Sequence, residues 1–138
     1  MNTVAAMSDT STQTRITHVG TVIIPIADQD AALAFYTEKL GFEVRTDQAY
    51  GEGFRWIEVA PAGAQTSIAL APPPESGDTG NRETGIGLSS EDVEASHAEL
   101  KARGVPVEDI LPLPDPVPPM FWFKDPEGNR SLVVQRDD

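Results

Sequence analysis

Thr21-Val22-Ile23-Ile24-Pro25-Ile26-Ala27-Asp28, followed by a helical pattern and then Leu40-Gly41-Phe42, is answered later in the chain. The answer is Gly85-Ile86-Gly87-Leu88-Ser89-Ser90-Glu91-Asp92, a second helical pattern and then Arg103-Gly104-Val105. Asp28 and Asp92 stand 64 residues apart, and Gly41 and Gly104 stand 63 apart. A strand–helix–strand unit used twice predicts two half-folds around one shared cleft. Function is then sought in the side chains that both halves send into it.

Working outward, residues 17–26 are rich in β-branched side chains and predict a strand, with Pro25 at its end. Asp28 predicts a helix N-cap, and Ala32, Phe35, Tyr36 and Leu40 share one face at helical spacing. Gly41 stands where a C-capping glycine belongs. Phe42 to Arg45, Phe54 to Val59 and Thr66 to Ala71 predict three more strands, with a turn at Pro61-Ala62-Gly63. After a proline-rich linker the order repeats: strand 85–89, a Ser90-capped helix over 91–103, a short strand near 105–109, and strands 120–124 and 131–135. The proline-rich stretch Leu111 to Pro119 and the turn Asp125-Pro126-Glu127-Gly128-Asn129 connect them. The expected class is α+β: two βαβββ modules in tandem, forming a cupped mixed sheet around a shared cleft. Residues 1–16 are expected to be a disordered tail and 17–135 the domain, with modules about 17–72 and 84–135.

Composition narrows the function. At 138 residues the chain is long enough for one domain with a real core. It has no cysteine, which removes thiolate metal sites, thiol nucleophiles and disulfides, and fits a cytoplasmic location. Its net charge of −12 repels phosphate backbones, so no nucleic-acid partner is expected. No apolar run is long enough to span a membrane, and no membrane partner is expected.

The pattern Asp28-x-Asp30-x-Ala32-x-x-Phe35-Tyr36-x-x-x-Leu40-Gly41-Phe42, with Asp125-Pro126-Glu127-Gly128-Asn129, resembles the vicinal oxygen chelate superfamily. That group includes glyoxalase I, bleomycin-resistance proteins and extradiol dioxygenases. The resemblance covers about residues 17–135 and implies a fold more firmly than a reaction. In metal-dependent members, each half supplies two His, Glu or Gln ligands to one divalent ion. The matching positions here hold Thr21, Ala69, Gly85 and Leu132, which make no ligand set for a transition metal. His18 is out of phase with Thr21 on its strand, and His97 falls among Val93 and Leu100 on a helix face. No metal and no cofactor are therefore expected. The resemblance also implies a homodimer whose clefts are completed by both chains.

Strand alternation supplies the other candidates. Phe54, Trp56 and Glu58 share one face; Ile57 and Val59 share the other and suit packing under a helix. Trp122 stands 64 residues after Glu58. The candidate ligand pocket is thus Thr21, Phe54, Trp56, Glu58, Ala69, Gly85, Trp122 and Leu132. Two tryptophans and a carboxylate suit a flat or cationic organic ligand, although both tryptophans read equally well as core. A carboxylate in mid-strand needs a partner, with Arg55 or Arg130 as candidates. Tyr50-Gly51-Glu52-Gly53 reads as a glycine turn or as a lip over the site. Three functions stay open: a metal-independent small-molecule binder of the bleomycin-resistance kind; a lyase, isomerase or dioxygenase acting on a small oxygenated metabolite; and a dimeric scaffold with no small ligand.

Overall fold

The computed structural model describes residues 12–51 and 53–136. Most of the expected tail, residues 1–11, lies outside the described residues, as does Glu52 in the glycine loop. The first module runs β1 (Thr21–Pro25), α1 (Gln29–Ala34) continued by a π-type turn (Phe35–Lys39), β2 (Glu43–Tyr50), β3 (Phe54–Ala60) and β4 (Ser67–Ala71). The second runs β5 (Glu83–Ser90), α2 (Val93–Ala102), β6 (Met120–Lys124) and β7 (Arg130–Gln135). Strand order is β1-β4-β3-β2 in one sheet and β5-β7-β6 in the other. In each, the first strand lies parallel to the last, and the remaining pairs are antiparallel. The fold is α+β, two tandem modules of the βαβββ type.

Two local expectations need correction. The strand expected near 105–109 is reduced to isolated bridges, Val107 to Phe123 and Leu111 to Met120. The segment still bonds to β6, Glu108 donating to Trp122 and Lys124 to Pro106, but Pro106 has no amide hydrogen to extend the ladder. The second helix is capped by Asp92, not Ser90: the Asp92 carboxylate accepts from the Ala95 amide at 3.0 Å. Ser90 is the last residue of β5, and its hydroxyl accepts from the Asp92 amide instead. Asp28 caps α1 in the same way, accepting from the Ala31 amide at 3.0 Å.

The one-residue difference between the two repeats has a local cause. In α2, the Val105 amide closes the helix end on the Leu100 carbonyl, with Gly104 at φ 82°. In the first module, the Leu40 amide reaches back to Phe35 and the Phe42 amide to Tyr36, with Gly41 at φ 75°. The wider turn takes up the extra residue. Arg103 of the second module donates to the Lys39 carbonyl at 2.8 Å, at the end of that turn.

Both helix-covered sheet faces feed one core. Ile57, Val59 and Leu70 from the first sheet and Phe121, Phe123 and Val133 from the second are buried together with Phe35, Tyr36 and Leu100. Phe35 stacks on Phe123 across the module boundary at 6.4 Å, and Tyr36 meets Phe35 edge-on at 5.1 Å. Gln29 fastens α1 over the first sheet, donating to the Leu70 carbonyl and accepting from the Arg55 amide. The 125–129 turn adds a polar link. The buried Asp125 carboxylate accepts from the Glu127 and Asn129 amides, the Asn129 side chain and the Tyr36 hydroxyl. Glu127 then reaches across to the start of α1, accepting from the Ala27 and Asp28 amides at 2.9 and 2.8 Å.

Candidate functional site

With Ile57 and Val59 fully buried in the core, the pleat turns Phe54, Trp56 and Glu58 to the opposite face of the first sheet. Cross-strand pairing builds that face outward. Tyr50 lies opposite Phe54, Gln48 opposite Trp56, and Thr46 opposite Glu58. On the other side Glu58 pairs with Ala69, and Thr21 pairs with Ser67. Tyr50 and Phe54 remain about half exposed. An open hollow of about 390 Å³ is lined by Gln48, Ala49, Tyr50 and Trp56.

The polar centre of this face is Glu58. Its Oε1 accepts from the Ser67 hydroxyl at 2.5 Å and its Oε2 from the Trp56 indole N–H at 2.8 Å. These two donors, Ser67 foremost, hold the Glu58 carboxyl below its ordinary range against a smaller opposing effect of burial. The carboxylate is therefore ionised near neutral pH and is a poor proton acceptor. The arginines expected as partners are engaged elsewhere. Arg55 lies on the other face of β3 and pairs with Asp30 and Asp47. Arg130 pairs with Glu83 and Glu108.

The second sheet presents a different face. Its buried Phe121, Phe123 and Val133 turn Met120, Trp122 and Leu132 outward, and Trp122 pairs with Leu132. The guanidinium of Arg130 sits 4.1 Å over the Trp122 ring centre. Gly85 lies in a register slip of β5 at φ 76°. It lines a separate hollow of about 590 Å³ between β5 and the β1–β4 edge, beside Val22, Ile68 and Leu88. Within one chain, Thr21, Phe54, Trp56, Glu58 and Ala69 therefore stand on one sheet. Gly85, Trp122 and Leu132 stand on the other.

A metal does not fit the four positions that the resemblance marks out for one. Ala69 and Leu132 carry no donor atom, and Thr21 alone is a weak one. A ligating side chain in place of Gly85 would be strained at that φ. Among the described residues, no three His, Asp or Glu side chains are grouped to hold an ion. His18 is exposed and bonded to Thr17, while His97 packs edge-on against Phe121 and meets the Glu108 carbonyl. Tyr36 is no acid–base candidate either, because burial and the charge of Asp125 push its hydroxyl pKa far up.

Sequence reasoning missed Ser67, the seating of Arg130 on Trp122, and Gln48 beside Trp56; Tyr50, read there as part of a glycine turn or lip, is the last residue of β2. The signal for Ser67 was present: it stands two residues before Ala69 on the same strand, and so on the same face. Among the described residues, no helix is long and apolar enough to cross a membrane.

Comparison with known proteins agrees with this architecture. The sequence profile of the Glyoxalase/Bleomycin resistance protein/Dioxygenase superfamily matches residues 15–131. The protein YetH of Bacillus subtilis (strain 168) is 33% identical over 125 residues, covering 87% of this chain and 99% of YetH. TnmS3, an antibiotic binding protein from Streptomyces sp. CB03234, is 37% identical with a TM-score of 0.77, over 89% of this chain and 98% of its own. A superfamily member from Sphaerobacter thermophilus DSM 20745 is 35% identical with a TM-score of 0.80, over 88% and 98%. With the profile, these relatives and the tandem modules in accord, the chain belongs to the glyoxalase/bleomycin resistance protein/dioxygenase superfamily.

Proposed function

We propose that this protein is a metal-independent small-molecule binder of its superfamily. It takes a flat or cationic organic ligand on the face formed by Tyr50, Phe54, Trp56 and Glu58. The observation that carries the reading is the joining of Trp56 to Glu58: an indole beside a fixed, ionised carboxylate at the centre of a half-exposed aromatic face. Such a face offers stacking area and one directed polar contact. The four donor-poor positions support binding without a metal. Likeness to an antibiotic binding protein at 37% identity supports a binding role over a catalytic one. The low Glu58 pKa counts against its use as a general base in a metal-free enzyme.

The functional form in this proposal is a homodimer. One chain leaves Ile23, Tyr50 and Phe54 exposed and carries its two half-sites on separate sheets. A second chain's Trp122 and Leu132 face would complete the site. The cysteine-free composition suits a cytoplasmic setting.

Tryptophan fluorescence and thermal shift against a panel of planar heteroaromatics test the binding role. Saturable quenching in the wild type, lost in Trp56→Ala, is the expected result. Elemental analysis of the purified protein is expected to find no stoichiometric divalent ion; one tightly held ion per subunit sinks the metal-independent reading. Sedimentation equilibrium is expected to give twice the chain mass, and a single-chain mass at micromolar concentration removes the dimer.

A further inference from the structure

Among the described residues, Glu58 has no counter-ion. It takes part in no ion pair among the described residues, and its two partners, Ser67 and Trp56, are both neutral. The strands of the first sheet place Thr21, Ile23, Thr46, Gln48, Tyr50, Phe54, Trp56, Ser67 and Ala69 around it, and none is basic. The two arginines on those strands are engaged elsewhere: Arg55 is turned to the other face and shared between Asp30 and Asp47, and Arg45, in the bulge of β2, pairs with Glu43 and donates to the Pro61 and Ala64 carbonyls.

The strands of the second sheet carry two basic residues: Lys124, exposed at the end of β6, and Arg130. Arg130 is the equivalent of Ser67 in the repeat, each two residues before the strand partner of Trp122 or Glu58. Where Ser67 donates to Glu58, Arg130 sits over Trp122 and is held by Glu83 and Glu108. One half of the repeat thus carries its own cation on an aromatic ring, neutralised twice. The other half carries an aromatic ring and an anion with the cation missing.

A carboxylate oxygen accepts about two hydrogen bonds, and Ser67 and Trp56 occupy one position on each. Each oxygen keeps an accepting position, on a half-buried carboxylate whose Oε2 already meets the edge of the Trp56 indole. A group that meets both needs an N–H to donate, a positive charge, and a flat body to lie against the indole. We propose that Glu58 is the counter-anion for a cationic N–H group of the ligand, with Ser67 as its positioning residue. The ligand class is then a planar aromatic amine, amidine or guanidine in its protonated form. The inference rests on the binding role proposed above and selects among the ligands that role allows.

The test compares acridine with 9-aminoacridine by isothermal titration, in buffer alkaline enough to keep acridine neutral while 9-aminoacridine stays cationic. The two share one ring system and differ in charge and N–H donors. The expected result is binding of 9-aminoacridine about tenfold or more tighter than acridine, a gap removed in Glu58→Gln. Ser67→Ala is expected to weaken 9-aminoacridine about threefold and leave acridine unchanged. It is also expected to raise the pH at which 9-aminoacridine binding falls off in acid, because Glu58 loses the donor that most lowers its pKa. A merely structural Ser67 would not move that pH. Equal affinity for the two acridines, or a full advantage retained in Glu58→Gln, overturns the anionic anchor while leaving the aromatic platform standing. Absence of saturable binding by either acridine overturns both. Should Glu58→Gln fail to fold, the pH shift in Ser67→Ala decides: no shift overturns the proposal.

Discussion

Replacing Glu127 with alanine tests how the two modules are held together. Its carboxylate receives the amides of Ala27 and Asp28, the two residues that lead into α1 and lie about 100 positions earlier in the chain. A hydrogen bond to a charged group contributes roughly 1.5–3 kcal/mol. The low end applies here, because Ala27 and Asp28 are exposed and water can replace the lost acceptor. Two such bonds, less the water that takes their place, give a loss of about 2 kcal/mol. For 138 residues the unfolding entropy is roughly 0.29 kcal/mol/K, so the melting temperature should fall by about 7 °C. Circular dichroism melts and urea titration with an unchanged m-value measure it. Glu127→Gln is expected to lose at least half as much, since its amide nitrogen would face one of the two N–H donors. Hydrogen exchange should quicken at Ala27 and Asp28 first. A melting temperature within about 2 °C of wild type in Glu127→Ala would refute the clamp.

Two further outcomes are expected. Asp28→Ala and Asp92→Ala should each cost about 1 kcal/mol in denaturant titrations, and the double variant about their sum, because the caps serve separate helices and share no partner. For Glu58, a folded pKa below the unfolded value means a stabilising contribution that is full above the ordinary carboxyl range near 4.3 and is lost as pH falls through the lower folded value. The stability gap between wild type and Glu58→Gln should therefore be constant near neutrality and close in acid; a gap that widened in acid would contradict the assignment.

How much of this was legible in the sequence depends on how local each interaction is. Asp28 with Ala31, and Gly41 with its positive φ, are decided within one helical turn, so residue type and spacing reveal them. The alternation that buries Ile57 and Val59 and frees Trp56 is also local, a property of one strand. Ser90 was misread because a serine and an aspartate two apart both suit a cap; the extension of β5 through Ser90 moved the choice to Asp92. The segment near 105–109 does bond to β6, Glu108 to Trp122 and Lys124 to Pro106, but with Pro106 unable to donate it forms a bridge at Val107 and no named strand, an outcome the symmetry of the repeat masked. What the sequence hid were pairings between distant residues. Nothing near Glu127 points to Ala27, and nothing near Arg130 or Arg55 says that each is already taken by two carboxylates. These choices are made by the way sheets and helices meet, which periodicity does not encode.

The widened turn over Phe35–Lys39 bears on how a duplicated fold ages. In a regular helix each residue advances the chain by 100°, so one residue added to one copy would swing everything downstream onto another side. The wide turn absorbs that angular debt on the spot. Phe42 leaves at a left-handed glycine as Val105 does in the shorter copy. The two halves are thus free to differ in length as well as in chemistry. One displays a carboxylate and the other a guanidinium over an indole, on sheets that keep the same order of strands.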